Sequence, residues 1–390
     1  MRPVPERLLR RLHAGAFGGI SADITVARTP PSSFYASTAA FPAQREAIFT
    51  GARTWHYAPA VLDVEAHGDA RAFTLLPGAL DEPLLAVRDG ATTRVLSNAC
   101  THRAKELVDP GAGVVSTLGP GGGVGGPVIK CGYHGRRFGL DGGCRGGPGF
   151  KNMLPGDDLP AAAMTMVGGI PFVNLAGPRA VPFDDLFGDV AARFAHLPFA
   201  GLVRDPSYAR AFEVKAHWAL YIENYLEGLH VPFVHPELNG VLSMQGYKTE
   251  TFKNAVLVTG GARPEETLLM PPAPGDPSGA RIAALYAWLW PNFMLNMYPW
   301  GVNVNTVVPL AHDRTRVEFW RFLWPGVLPA QADAASNLTG IIDATEVQDD
   351  AVVESVARGL KSRLYQRGRY APEWENGTHH FNRLLEAALT

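Results

Sequence analysis

Cysteine is scarce in this chain, with three in 390 residues. Three thiols cannot build a disulfide framework for a protein of this size, so a reducing, cytoplasmic compartment is expected. Charge of one sign is also lacking. Thirty-five Lys and Arg against 37 Asp and Glu leave a formal net charge of −2. No basic stripe suits nucleic acid, and no charged block forms a tail. Long apolar runs are missing too: no stretch approaches the ~18 residues of a membrane span. The opening "MRPVPERLLRRLHAGAFGGISA" is too short and Gly-broken in its apolar part for a signal peptide, and is read as helix and loop. What remains, 46% apolar and 18% charged, describes a folded protein long enough for two domains.

The texture of the chain changes along its length. Residues 29 to 50 read as a Pro-rich loop and then a helix with Phe41, Ile48 and Phe49 inward. From Trp55 to about Asn174, β-like runs such as "TWHYAPAVLDVEA", "FTLLPG", "PLLAVRDG" and "TTRVLSN" alternate with Gly, Pro, Asp and Asn, the pattern of a small all-β domain. A Gly-rich loop, 111 to 127, lies inside it, and "GGIPFVNLAGP" reads as its last strand. From about 180, helix and strand signals mix. "FEVKAHWALYIENYLEGLH" and "NLTGIIDATEVQDDAVVESVARGLKSRLYQRG" read as helices, and "PPAPGDPSG" as a surface loop. "RIAALYAWLWP", "FMLNMYP", "VNVNTVVPL" and "TRVEFWRFLWP" read as strands of one antiparallel sheet.

Two of the three cysteines have a histidine at hand: Cys100-x-His102 and Cys131-x-x-His134. Zinc takes two thiolates and two imidazoles, but its knuckles usually pair Cys with Cys at the near spacing. One Cys and one His per loop suits a two-iron cluster, with the thiolates on one iron and the imidazoles on the other. Neutral imidazole in place of thiolate raises the potential and makes such a cluster an electron relay. The bland alternative is two buried thiols beside surface histidines. Cys144 has no partner spacing and reads as a packing thiol.

A second concentration is "ENYLEGLHVPFVHPEL", 223 to 238. On a helix, Glu227 and His230 share a face that Glu223 and Asn224 extend. Pro232 then disturbs the helix, and His235 can fold back beside His230. Two imidazoles and a carboxylate with positions left open form the ligand set of O2-activating non-haem iron. Ordinary hydrogen-bonded histidines are the competing explanation. For the carboxylate, "VQDDAVVESVARGLKS" offers Asp349 and Asp350. Val352, Val353, Val356 and Leu360 fall at +3, +4, +7 and +11 from Asp349, which puts Asp349 on the inward stripe and Asp350 on an outward face with Glu354, Ala357 and Lys361. A buried carboxylate is expensive unless paired or metal-bound, so Asp349 is the candidate.

"CTHRAKEL" with "CGYHGRRFGLDG" resembles the Rieske [2Fe–2S] motif, and 223 to 238 resembles the catalytic motif of Rieske non-haem iron oxygenase α subunits. Departures exist: residues 103–130 make a 28-residue spacing longer than the family's, and Ala104, Gly132 and Arg136 stand where the family has Gly, Pro and Trp. The resemblance implies an α+β fold. A small all-β Rieske domain, 49–178, precedes a catalytic domain, 179–390, with an antiparallel sheet covered by helices, on which residues 1–48 pack. It implies a [2Fe–2S] cluster on Cys100, His102, Cys131 and His134, mononuclear Fe(II) on His230, His235 and Asp349, and Glu227 as the bridging carboxylate. It implies O2, a small-molecule substrate, an NAD(P)H-dependent reductase acting directly or through a ferredoxin, and a homotrimer whose clusters serve the neighbour's iron. Glu227 and the Asp349 helix are most similar to the quaternary-ammonium branch, that of the carnitine and choline oxygenases. Aromatic-ring dihydroxylation, O-demethylation, an electron-transfer or sensor protein without oxygenase activity, and a hydrolase with zinc in both sites are the rivals. Tyr286, Trp288 and Trp290, like Trp320, Phe322 and Trp324, alternate along strands; they suit a cation or a flat ring, though most are expected to be core.

Overall fold

The computed structural model describes residues 18–117, 126–150, 152–265, 267–269, 281–335 and 337–390. The opening segment to residue 17, the centre of the Gly-rich loop and the "PPAPGDPSG" loop lie outside them. The chain divides into two units: Thr50–Pro182, and Phe183–Thr390 together with the described residues up to Phe49.

The Thr50–Pro182 unit is all-β. Its strands are β1 (His56–Tyr57), β2 (Asp69–Leu75), β3 (Glu82–Asp89), β4 (Thr92–Ser97), β5 (Val114–Ser116), β6 (Ile129–Lys130), β7 (Arg137–Phe138), β8 (Ala161–Val167) and β9 (Ile170–Asn174). Seven pair in the order β1-β9-β8-β4-β3-β2-β5, all antiparallel, and β6 and β7 form a separate hairpin. The expected strand through "TWHYAPAVLDVEA" is cut to His56–Tyr57, because Pro59 opens a 3-10 turn, Pro59–Asp63, that turns Val61 into the core. The Gly-rich stretch is not wholly a loop, since Val114–Ser116 pairs with β2. Cys100 and Cys131 belong to the core itself, beside Leu85, Leu96, Ile129, Phe138 and Leu140.

The other unit begins with α1 (Ser32–Ala36) and α2 (Phe41–Phe49), in which Phe41, Ile48 and Phe49 are buried. After α3 (Phe183–Ala191) come β10 (Val203–Val214), α4 (Trp218–Tyr225), α5 (Val231–Val234), α6 (Pro236–Val241), β11 (Leu242–Phe252), β12 (Ala255–Ala262), β13 (Ile282–Leu289), β14 (Phe293–Tyr298), β15 (Gly301–Ala311), β16 (Arg314–Leu323), α7 (Pro329–Ala335), α8 (Asn337–Gly359) and α9 (Asn376–Leu389). The strands make one antiparallel sheet in the order β10-β16-β15-β14-β13-β12-β11. The four strands expected from the sequence form its centre. Register sets one face. Tyr286 pairs with Asn296, Asn296 with Asn303 and Asn303 with Arg321, while Trp288, Met294, Asn305 and Phe319 form the next row. Strand alternation puts both rows on the same side. Phe381 of α9 packs edge-on against Trp288 of that face and Trp218 of α4, and Phe49 of α2 packs on Trp218. Among the described residues no helix is long and apolar enough to cross a membrane.

Three further expectations fail here. The helix through "NLTGIIDATEVQDDAVVESVARGLKSRLYQRG" ends at Gly359, short of its last nine residues. The helix through "FEVKAHWALYIENYLEGLH" does not exist as one element: Phe212–Val214 end β10, and α4 runs only to Tyr225. Asp350 does not face outward. It is half-buried with a buried Oδ1 that finds no partner, while Val356 is 45% exposed. Helix α8 packs against α4, α6 and β10 at once. A helix wedged between several neighbours buries an arc wider than one a/d stripe, and that arc takes in both aspartates.

Candidate metal centres and an adjoining cavity

The two Cys–His loops share one backbone frame. The N–H of Cys100 donates to the carbonyl of Lys105, and the N–H of Ala104 to the carbonyl of Cys100; Cys131 makes the same pair with Arg136 and Gly135. Each frame needs a left-handed residue four positions after its cysteine, Ala104 at φ 54° and Gly135 at φ 72°. The sulfurs lie inside, 3% and 2% exposed, while His134 is exposed and His102 half-buried, with ring centroids 4.7 Å apart. Backbone N–H groups of His102 and Arg103 reach the Cys100 sulfur, and those of Tyr133 and His134 the Cys131 sulfur. Burial pushes the Cys100 thiol up; at Cys131 burial is outweighed by the N–H donors, which hold the thiol below its ordinary range. Buried sulfurs with amide donors and two paired outer imidazoles fit a [2Fe–2S] cluster with mixed ligation.

Sequence reasoning missed what ties the loops together. Arg136, 2% exposed, pairs with Asp157 at 2.5 Å and donates Nε–H to the Cys144 sulfur at 3.3 Å. Thr101 donates to the Asp157 carbonyl at 2.7 Å. One residue thus anchors both loops, and Cys144 is a partner of Arg136 as well as packing. Ala104 adopts a left-handed conformation that costs an L-residue roughly 1 kcal/mol. Ala104→Gly is therefore expected to raise stability by about that amount, read as a higher Tm with an unchanged Rieske spectrum.

In the other unit, α4 ends at Tyr225, and Leu226–His230 form a turn. Tyr247 packs against Gly228 so closely that any Cβ there would overlap its ring. Pro232 sits in the first turn of α5, where its missing N–H costs nothing, so it starts a helix instead of disturbing one. Glu227 and His230 still meet. Glu227 Oε2 accepts the N–H groups of Leu229 and His230, and Oε1 contacts His230 Nδ1. Glu223 leaves this group and accepts instead from the Tyr35 hydroxyl at 2.6 Å. There burial pushes its carboxyl up to about 7.

His235, 1% exposed, holds its Nδ1 2.7 Å from Gln348 Oε1. Both Nδ1 atoms face side-chain oxygens, so a ring that keeps its proton there has Nε2 free to bind a metal on the inner side. Those two Nε2 atoms lie 3.5 and 3.0 Å from Asp349 Oδ1. His230, His235 and Asp349 each offer one ligand atom, all within 4.8 Å of one another. This is a two-imidazole, one-carboxylate set that fits a mononuclear iron with open positions. Gln348 had no signal in the sequence beyond its place beside Asp349.

A cavity of about 280 Å³ opens beside these three residues, walled by Tyr225, Tyr247, Tyr286, Tyr298, Trp300 and Phe319 among others. Tyr225 donates to Asn296 Oδ1 across it. Of the six aromatics singled out in the sequence, Tyr286 alone lines it; Trp288, Trp290, Phe322 and Trp324 are buried core.

The Rieske [2Fe–2S] domain family matches residues 54–163, and the ring hydroxylating alpha subunit (catalytic domain) family matches 203–390. The chloroplastic choline monooxygenase of Arabidopsis thaliana is 30% identical over 382 residues, covering 93% of this chain and 83% of that protein. The chain belongs to the Rieske non-haem iron oxygenase family. The carnitine monooxygenase oxygenase subunit of Acinetobacter pittii is 27% identical to this oxygenase, over 87% of each chain. Among solved structures, the quaternary ammonium Rieske monooxygenase CntA in complex with L-carnitine has the same fold, with a TM-score of 0.72 at 22% identity, covering 95% of this chain and 97% of that one. Naphthalene 1,2-dioxygenase from Rhodococcus shares it at 0.69 and 18%, covering 92% and 93%. As a Rieske oxygenase α subunit, the chain carries a Rieske cluster and a mononuclear iron, draws electrons from a reductase and acts on a small substrate with O2.

Proposed function

We propose that this oxygenase oxygenates a small quaternary ammonium compound, and that the observation carrying this is the aromatic wall of the cavity beside His230, His235 and Asp349. A cation over an aromatic face gains ~0.5–2 kcal/mol per contact, more when water is excluded. The names of the choline and carnitine relatives support the same substrate class. Cys100, His102, Cys131 and His134 hold the cluster; His230, His235 and Asp349 hold the iron; Glu227 orients His230 and contacts a neighbouring subunit's Rieske histidine in a homotrimer. When bound, the two groups supply single electrons and O2 activation. The chain fixes both imidazole orientations through Glu227 and Gln348 and sets an aromatic wall beside them. The reductase is NAD(P)H-dependent, in a reducing compartment where the thiols stay available to iron.

The test is O2 consumption by the reconstituted enzyme with a reductase, over a panel of quaternary amines and aromatic compounds, with product mass read in parallel. Substrate-coupled uptake confined to aromatic rings would remove the cation reading. Gln348→Leu is expected to weaken mononuclear iron binding by about 10- to 100-fold, measured by iron titration, with the Rieske spectrum unchanged. Unaltered iron affinity would mean that Gln348 does not position His235.

A further inference from the structure

The cavity's charge pattern says more than its aromatic wall. Three carboxylates line it: Glu227, Asp349 and Glu346. No Lys or Arg among the described residues does. Of the arginines close in sequence to lining residues, Arg263 donates to the Asn239 carbonyl, Arg281 to those of Arg263 and Pro264, and Arg321, two residues after Phe319, pairs with Asp205 and Asp333. The described lining residues thus offer no Lys or Arg to neutralise a substrate carboxylate. Glu346 is 6% exposed, and its Oε2 accepts from the Tyr221 hydroxyl at 2.7 Å. It precedes Asp349 by three residues on α8, about 4.5 Å along the helix axis. A cation seated against Glu346 would thus lie next to the candidate iron ligands.

A second, independent feature is Asn305. It is 3% exposed, lines the cavity from β15, and its Oδ1 has no hydrogen-bond partner among the described residues. A buried polar atom left unpaired costs roughly 1–3 kcal/mol, so such an acceptor at a cavity wall points to a donor brought by the ligand.

We infer that Glu346 and Asn305 set the substrate class: an organic cation that carries a hydroxyl and no carboxylate, with Glu346 facing the ammonium and Asn305 accepting from the hydroxyl. This rests on the quaternary-ammonium reading above and narrows it. A zwitterion of the carnitine type would bring its carboxylate into a wall of like charge, which costs affinity.

The test is calorimetric titration of the anaerobic holoenzyme with four probes: choline, carnitine, tetramethylammonium and 3,3-dimethylbutan-1-ol, the uncharged isostere of choline. Choline is expected to bind more tightly than each of the others by about tenfold or more. Glu346→Gln should weaken choline by about tenfold or more and leave the neutral alcohol unchanged. Asn305→Ala should weaken choline and leave tetramethylammonium unchanged. Carnitine binding as tightly as choline, or a Gln variant that treats cation and alcohol alike, overturns the inference while the quaternary-ammonium reading stands. A wild-type enzyme that binds no cation but does bind flat aromatic compounds overturns that reading and this one with it. Should either variant fail to fold, the ranking of the four probes on the wild-type protein decides.

Discussion

Asp349→Ala is expected to empty the mononuclear site and stop turnover while leaving the Rieske spectrum intact. Asp349 Oδ1 is where the two Nε2 atoms converge, at 3.5 and 3.0 Å. Without it, two neutral imidazoles remain, and the two-imidazole, one-carboxylate set that holds non-haem Fe(II) is incomplete. The cluster loops belong to another unit of the chain. The control is Asp350→Ala. Asp350 is half-buried beside Asp349, and burial first, then Asp349 and Glu354, push its carboxyl up to about 7. Its removal takes away an unfavourable buried group, so iron content should hold. Metal analysis of the two purified variants separates the residues, and an iron-replete Asp349→Ala or an iron-free Asp350→Ala would reverse the assignment.

Most of the candidate ligands are legible in the sequence because metal chemistry constrains residue type and spacing more tightly than packing does. Cys100, His102, Cys131 and His134 sit on loops whose frame is set within six residues of each cysteine, so local sequence suffices. Helical phase points to Asp349, but its stripe takes in Val356, which is exposed, and leaves out Asp350, which is half-buried. Periodicity locates the middle of a buried arc, whereas its width depends on how many elements press on the helix. The break after Tyr225 was hidden for a similar reason. Every residue from Trp218 to Leu229 except Gly228 tolerates helix. What decides is the ring of Tyr247, nineteen positions further on, lying over Gly228. The cavity was least legible. Tyr225, Tyr247, Tyr298 and Trp300 come from a helix end, a strand and a hairpin turn, and sheet register alone brings Tyr286, Asn296 and Asn305 beside them. The closing helix α9 had no motif to announce it.

Glu227→Gln is expected to keep both metals and the oligomer, and to lower turnover by about 100-fold. The structure gives Glu227 two tasks that this change separates. Oε2 caps the turn by accepting the Leu229 and His230 N–H groups, and Oε1 meets His230 Nδ1. Gln retains one acceptor oxygen and nearly the same shape, so it can still hold either the turn or the ring, and His230 should continue to bind iron. What Gln loses is the second charged oxygen. Under the proposal above, that oxygen receives an imidazole N–H from the neighbouring subunit's cluster and forms the short path for an electron between the two metals. If so, the reductase should still reduce the cluster at the wild-type rate, because that step does not involve Glu227. Reoxidation of the reduced cluster by O2 and substrate, followed in a single turnover, should slow in proportion to kcat. A purely orienting role for Glu227 predicts a different pattern: weaker iron binding, with normal reoxidation in whatever fraction of sites is filled. Reoxidation at the wild-type rate in the Gln variant, or full activity from a strictly monomeric enzyme, would take Glu227 out of the electron path and leave it as a positioning residue for His230.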